Sequence, residues 1–246
     1  MFDSVKGALG AFSRDPISFL LPTITYPVFM LITIGAMIGV LLVTFFALTA
    51  VNVQPDIIAI VLAAMGAFLL LLYAIFSAGY KGALVNEYRK ALRREPVGVV
   101  YFMKYAFKNC GGYFVISLVK LVVMGFFITP LSLIYYFLNL GMTNEILAWL
   151  VILMALFVVF VVEFLFSFSY IAAAVKSAKP FTAIIISLNF IKEANISAFM
   201  IYVLYCLIVL ASLVPLVDIL AYFIFYPVAY SSLIQFFDKK NKYGPY

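Results

Sequence analysis

Six apolar runs divide this chain, near 17–48, 56–80, 112–138, 146–174, 196–213 and 217–236, and the gaps between them alternate in charge. Fifteen of the sixteen Lys and Arg residues lie at the start (Lys6, Arg14), in 81–110, in 176–195 and in the tail (Lys239, Lys240, Lys242). The other gaps, near 49–56, 139–145 and 211–218, carry no charge but Asp56, Glu145 and Asp218. A helix crosses the hydrocarbon with about 20 apolar residues, and basic residues stay on the cytoplasmic side. The pattern predicts an all-α polytopic protein of the cell membrane. Six transmembrane helices form three hairpins, both termini are cytoplasmic, and 1–246 is a single integral domain.

Composition excludes the soluble classes. With 67% hydrophobic and 11% charged residues and a mean hydropathy of +1.19, a water-soluble globule would have too little polar surface. The net charge of +6 edges the spans, so it reads as topogenic and nucleic acid is not an expected partner. Cys110 and Cys206 are the only cysteines and histidine is absent, so no disulfide framework, metal site or cofactor is expected. Met1–Arg14 is amphipathic and leads into an apolar run too long for a signal peptide, so no cleavable leader is expected.

Each hairpin is predicted to follow a short cytoplasmic interfacial helix. Phe12–Phe19 parallels Phe107–Phe114, with the same Phe spacing and a nearby basic residue, and Phe190–Phe199 is a looser third copy. The hairpins also end on aromatic pairs four apart: Phe76 and Tyr80, Phe166 and Tyr170, Tyr226 and Tyr230. A parallel threefold repeat over 1–95, 96–178 and 179–246 accounts for this economically. An interfacial aromatic belt would produce such pairs without a repeat.

The opening Phe12-Ser-Arg-Asp-Pro-Ile-Ser-Phe-Leu-Leu-Pro22 resembles the start of uncharacterised archaeal and bacterial multi-pass proteins related to the membrane domain of glycerophosphoryl diester phosphodiesterases. The stretches ending Phe107-Lys-Asn and Asn189-Phe190-Ile-Lys resemble the same element repeated. In fused members the chemistry lies in a separate soluble domain. The resemblance therefore implies architecture and a membrane-associated role, with no activity.

Two charges fall inside spans, Lys120 and Glu163. A lysine at the bilayer centre costs roughly 2.5–3.5 kcal/mol, so a partner or a wet cavity is expected. Counted from the cytoplasmic boundaries, Lys120 lies about 13 Å and Glu163 about 20 Å deep along their helices. Antiparallel spans could join them as an ion pair, or they could line a cavity or snorkel separately. Asp56, Glu145 and Asp218 start downward spans and suit helix N-termini. Pro22, Pro27, Pro130 and Pro227 should bend or loosen their helices. Gly35 and Gly39 make a small face for close packing, within the hairpin or between copies.

In Ala83–Glu95 the apolar residues Leu84, Val85, Tyr88, Ala91 and Leu92 share one helical face, with Asn86, Glu87, Arg89, Lys90, Arg93 and Arg94 opposite. The expectation is a helix lying flat in the interface, where Arg89, Lys90, Arg93, Arg94, Lys104 and Lys108 gather anionic headgroups; the alternative is that they only fix topology. Asn195-Ile-Ser matches a glycosylation acceptor on the predicted cytoplasmic side, so it carries no weight.

No paired carboxylates, serine–base pair or phosphate loop appears, so an enzyme is not expected. The chain reads as a non-catalytic membrane protein that organises lipid, preferably anionic, or a partner at the cytoplasmic face. A partner membrane protein or a homo-oligomer is the further partner considered. The alternative is a small-solute or ion transporter or channel using Lys120 and Glu163.

Overall fold

The computed structural model describes residues 2–138, 145–211, 214, 218 and 221–241. The regular elements named here are helical: α1 (Phe2–Arg14), α2 (Pro16–Ala50), α3 (Pro55–Arg93), α4 (Val99–Phe137), α5 (Glu145–Lys176), α6 (Pro180–Ala194), α7 (Ile196–Ala211), a π-helical turn (Ala221–Phe225) and α8 (Tyr226–Asn241). Helices α2, α3, α4 and α5 are each long and apolar enough to cross a bilayer, and α6 with α7 form a fifth such segment bent by 108°. The chain is a multi-pass helical membrane protein. The expected spans 196–213 and 217–236 and the outer gaps 139–145 and 211–218 include residues outside those described.

Two compact units are distinguished, Gly10–Phe114 and, together, Met1–Leu9 with Val115–Tyr246. In the first, Asp15 is barred from helical geometry by Pro16 and stands at φ −144°, which separates α1 from α2. Its carboxylate accepts the Ser18 N–H at 3.3 Å and the Ser18 hydroxyl at 2.6 Å, capping α2. Helices α2 and α3 run antiparallel through Thr44–Met65, Thr33–Tyr80 and Thr23–Tyr88 contacts, whose residue numbers sum to nearly the same value. Gly79 and Gly82 bring α3 against the start of α4. A Cβ at Gly79 would stand 2.8 Å from the Ala106 carbonyl oxygen, and one at Gly82 would collide with the Tyr113 ring.

In the second unit the core is aromatic. Phe168 of α5, Phe190 of α6 and Phe237 of α8 pack with centroids 4.8–6.2 Å apart. Lys239 donates to the Asp3 carbonyl at 3.4 Å, and Gly7 abuts the Gln235 amide, so α1 begins against α8. Helices α2 and α4 continue through Pro22, Pro27 and Pro130. At Pro227 the effect is local: its missing N–H follows directly on the π-helical turn.

Burial is uneven along the spans. Between residues 26 and 77 only Leu69 is buried, and between 117 and 161 only Ala148 is, among the described residues. Leu31, Phe46, Ile60 and Phe68 in the first unit, and Leu121, Phe126, Ile146 and Phe157 in the second, keep more than half of their surface open. Such continuous apolar surface is stable only in lipid. The 23 residues from Val28 to Ala50 measure about 34 Å and the 21 from Ser117 to Phe137 about 31 Å, close to the hydrocarbon thickness. The packed cores lie at the opposite ends of these helices.

Three local expectations change. The stretch Phe107–Phe114 is no separate interfacial helix, because α4 runs unbroken from Val99. Gly111 and Gly112 cost only about 1 kcal/mol each relative to alanine, too little to stop a helix packed against α3. The third copy, Phe190–Phe199, straddles the bend: Asn195 at φ 42° ends α6 and begins α7, so the separate short helix is Pro180–Ala194, which begins upstream of that stretch. Ala83–Glu95 does not lie flat by itself, since it continues α3, and residues 82–88 are all buried.

Candidate functional site

Two charged constellations stand out, one in each unit. In the second unit, Lys120 of α4 points its Nζ at Glu163 Oε1 of α5, 2.7 Å away. Lys120 retains 15% of its side-chain exposure and Glu163 42%, so the pair is open on the acidic side. One turn back along α4 and two turns further along α5, Ser117 and Tyr170 share a hydrogen bond between their hydroxyls. These contacts tie α4 to α5 where the packed core begins.

Lys120 stands 17 residues from the end of α4 and Glu163 18 residues from the start of α5, about 26 and 27 Å along their axes. Those lengths are close to the thickness of the hydrocarbon. A cleft of about 450 Å³ between α4 and α5 is lined by Leu131, Tyr135, Val151 and Ala155. It lies toward the end of α4 and the start of α5, and neither Lys120 nor Glu163 lines it.

The other constellation is the end of the α3–α4 hairpin. Glu87, placed on the polar face by the sequence pattern, has no exposed side-chain surface. Its Oε1 receives Lys90 Nζ at 2.6 Å and Asn86 Nδ2 at 3.4 Å, and its Oε2 receives the Gly98 N–H at 3.2 Å. Gly98 immediately precedes α4, so the carboxylate sits where the open amides and dipole of that helix favour a negative charge. Lys90 also lies 4.8 Å over the Tyr101 ring. Sequence reasoning missed Glu87; the available signal was an acid three residues before a lysine, just ahead of a turn.

The six expected headgroup ligands thus divide. Arg89 and Lys90 are half-buried, Lys90 in the Glu87 cluster and Arg89 near Tyr105. Burial pushes the Tyr105 phenol above its ordinary range, partly offset by its 2.9 Å hydrogen bond with Tyr113 and by the charge of Arg89. Arg93, Arg94, Lys104 and Lys108 are exposed. Arg94 ends α3 at φ 60°, its N–H bonded to the Ala91 carbonyl and that of Glu95 to the Lys90 carbonyl, a closure usually made by glycine. It lines a cleft of about 830 Å³ with Arg14, Asp15 and Glu95.

Gly35 and Gly39 are not brought against α3. An added Cβ at either would meet nothing within 4 Å, because the hairpin closes through the threonines of α2. Among the described residues no group of three or more Cys, Asp or Glu could hold a metal ion. The chain matches no protein-family model, no curated protein and no solved structure.

Proposed function

We propose that this is a non-catalytic, six-span membrane protein, both termini cytoplasmic, whose basic end on the α3–α4 hairpin docks an acidic partner protein. The unbroken course of α3 carries the argument. Arg89 lies 34 residues beyond Pro55, about 51 Å along the axis, while the hydrocarbon takes about 30 Å. Upright, the helix holds its basic end about 20 Å past the hydrocarbon; tilted by 40°, it still holds it about 10 Å past. A docking surface in the cytoplasm fits that reach better than a shelf among headgroups. The partition of basic residues between alternate gaps supports the topology, and kinship with the phosphodiesterase membrane domain rests on the Phe12–Pro22 segment.

The test is a depth measurement. A fluorophore on Arg93→Cys, in a Cys110→Ser, Cys206→Ser background, is placed in nanodiscs containing headgroup spin-labelled lipid. Weak quenching supports partner docking; strong quenching would return the basic end to the membrane surface and favour direct lipid organisation.

The transporter reading is favoured only by the remaining exposure of Glu163. Flux across liposomes abolished by Glu163→Gln would support it in place of the scaffold.

A further inference from the structure

We propose that α6 is inserted lengthwise into the cytoplasmic leaflet, its outer ridge among the acyl chains and its two ends holding the phosphates of anionic phospholipids. This rests on the membrane reading of the spans and is independent of the basic end of α3.

Helix α6 has two apolar faces. Ala183, Ile184, Ser187, Phe190 and Ala194 are buried in the second unit. On the other side Phe181, Ile185 and Leu188 are 65%, 57% and 41% exposed, at positions i, i+4 and i+7 of one ridge. The inner face already satisfies the core, so packing within the unit does not explain the outer one.

Depth identifies what covers that ridge. The Ser187 hydroxyl donates to the Leu165 carbonyl at 2.8 Å, and Phe190 packs on Phe168 at 4.8 Å. Leu165 and Phe168 stand 20 and 23 residues from the start of α5, about 30–35 Å, so α6 crosses α5 at the inner boundary of the hydrocarbon. The 108° bend at Asn195 turns it nearly into the membrane plane when α7 stands across it. The apolar exposure continues onto α7 at Ile196, Phe199 and Met200.

The charges fit the same occupant. Lys179 stands at the N-cap position of α6 and Lys192 lies in its last turn, both exposed and about 20 Å apart, with the apolar ridge between them. An apolar centre with basic ends matches acyl chains beneath anionic phosphates, and Glu193 is the only acid on the helix. Inserted in one leaflet, α6 takes up area there alone, which makes the protein responsive to lipid packing.

Trp149 is the single tryptophan, so Trp149→Phe with Ile185→Trp provides one reporter. In liposomes its emission should be blue-shifted. It should lose most of its intensity to lipids brominated near the headgroup end of the chain, and little to lipids brominated at the chain terminus. Blue emission unaffected by either lipid would place the ridge against protein, and quenching by aqueous iodide would place it in water; either result overturns the proposal. Lys179→Gln with Lys192→Gln should remove the enrichment of anionic lipid retained in native mass spectrometry while leaving the Ile185→Trp emission blue. Unchanged enrichment would remove the phosphate contacts from the proposal. Position 93 reports separately on partner docking, so the two readings can fail independently.

Discussion

The Glu87 carboxylate accepts the backbone N–H of Gly98 at 3.2 Å, joining the end of α3 to the start of α4 across an eleven-residue separation. Because the side chain is fully buried, the bond has no competition from water. Glu87→Ala would leave Lys90 without its carboxylate and the Gly98 amide unsatisfied. A loss of about 3 kcal/mol is expected in thermal unfolding in detergent. Glu87→Gln keeps an acceptor for Gly98 and should lose less than Glu87→Ala.

Lys120 and Glu163 should be energetically coupled. Lys120→Met and Glu163→Gln should each lower the melting temperature, and the double variant should recover part of the loss. The partial exposure of Glu163 limits the coupling to about 1 kcal/mol. Strictly additive losses would show that the pair contributes nothing.

Alkaline pH should loosen the first unit through Tyr105. Its folded-state pKa is raised above 10.0, chiefly by burial. The unfolded phenol gives up its proton first, so this contribution is fully present below pH 10 and is lost as pH rises through the folded value. The melting temperature of Tyr105→Phe, followed from pH 8 to above pH 11, should fall less steeply than that of the wild type. Parallel curves would refute the assignment.

Gly79 and Gly35 should respond oppositely to alanine. At Gly79 the methyl meets the Ala106 carbonyl at 2.8 Å and Cys110 Cβ at 2.9 Å, so Gly79→Ala should cost about 1–3 kcal/mol. At Gly35 nothing stands within 4 Å, and the gain in helix propensity should make Gly35→Ala neutral or stabilising by up to about 1 kcal/mol. Melting temperatures of the two variants decide this.

For topology, single cysteines at Asn52, Thr143 and Ser212, in a background lacking Cys110 and Cys206, should react with a membrane-impermeant reagent applied to intact cells. One at Lys90 should not. Labelling at Lys90 would overturn the proposed orientation.

The helical, membrane-crossing character of the chain was determined by its sequence alone, because lipid demands continuous apolar runs and satisfied backbones. The break between α1 and α2 was equally local: Asp15-Pro16 forbids continuation and supplies a cap. Pairing of Lys120 with Glu163 was foreseeable as one of three outcomes, since neighbouring antiparallel helices place residues near the same level. What only the tertiary structure decided is how far each helix runs unbroken and which amphipathic face is covered. An apolar stripe at 84–92 says that one face is buried, but not that Asn86 and Glu87 are buried too. That depended on Lys90 and the Gly98 amide converging on one carboxylate, a contact made across a turn. The packing of Phe190 between Phe168 and Phe237, just ahead of the bend at Asn195, was likewise set by residues far apart in the chain.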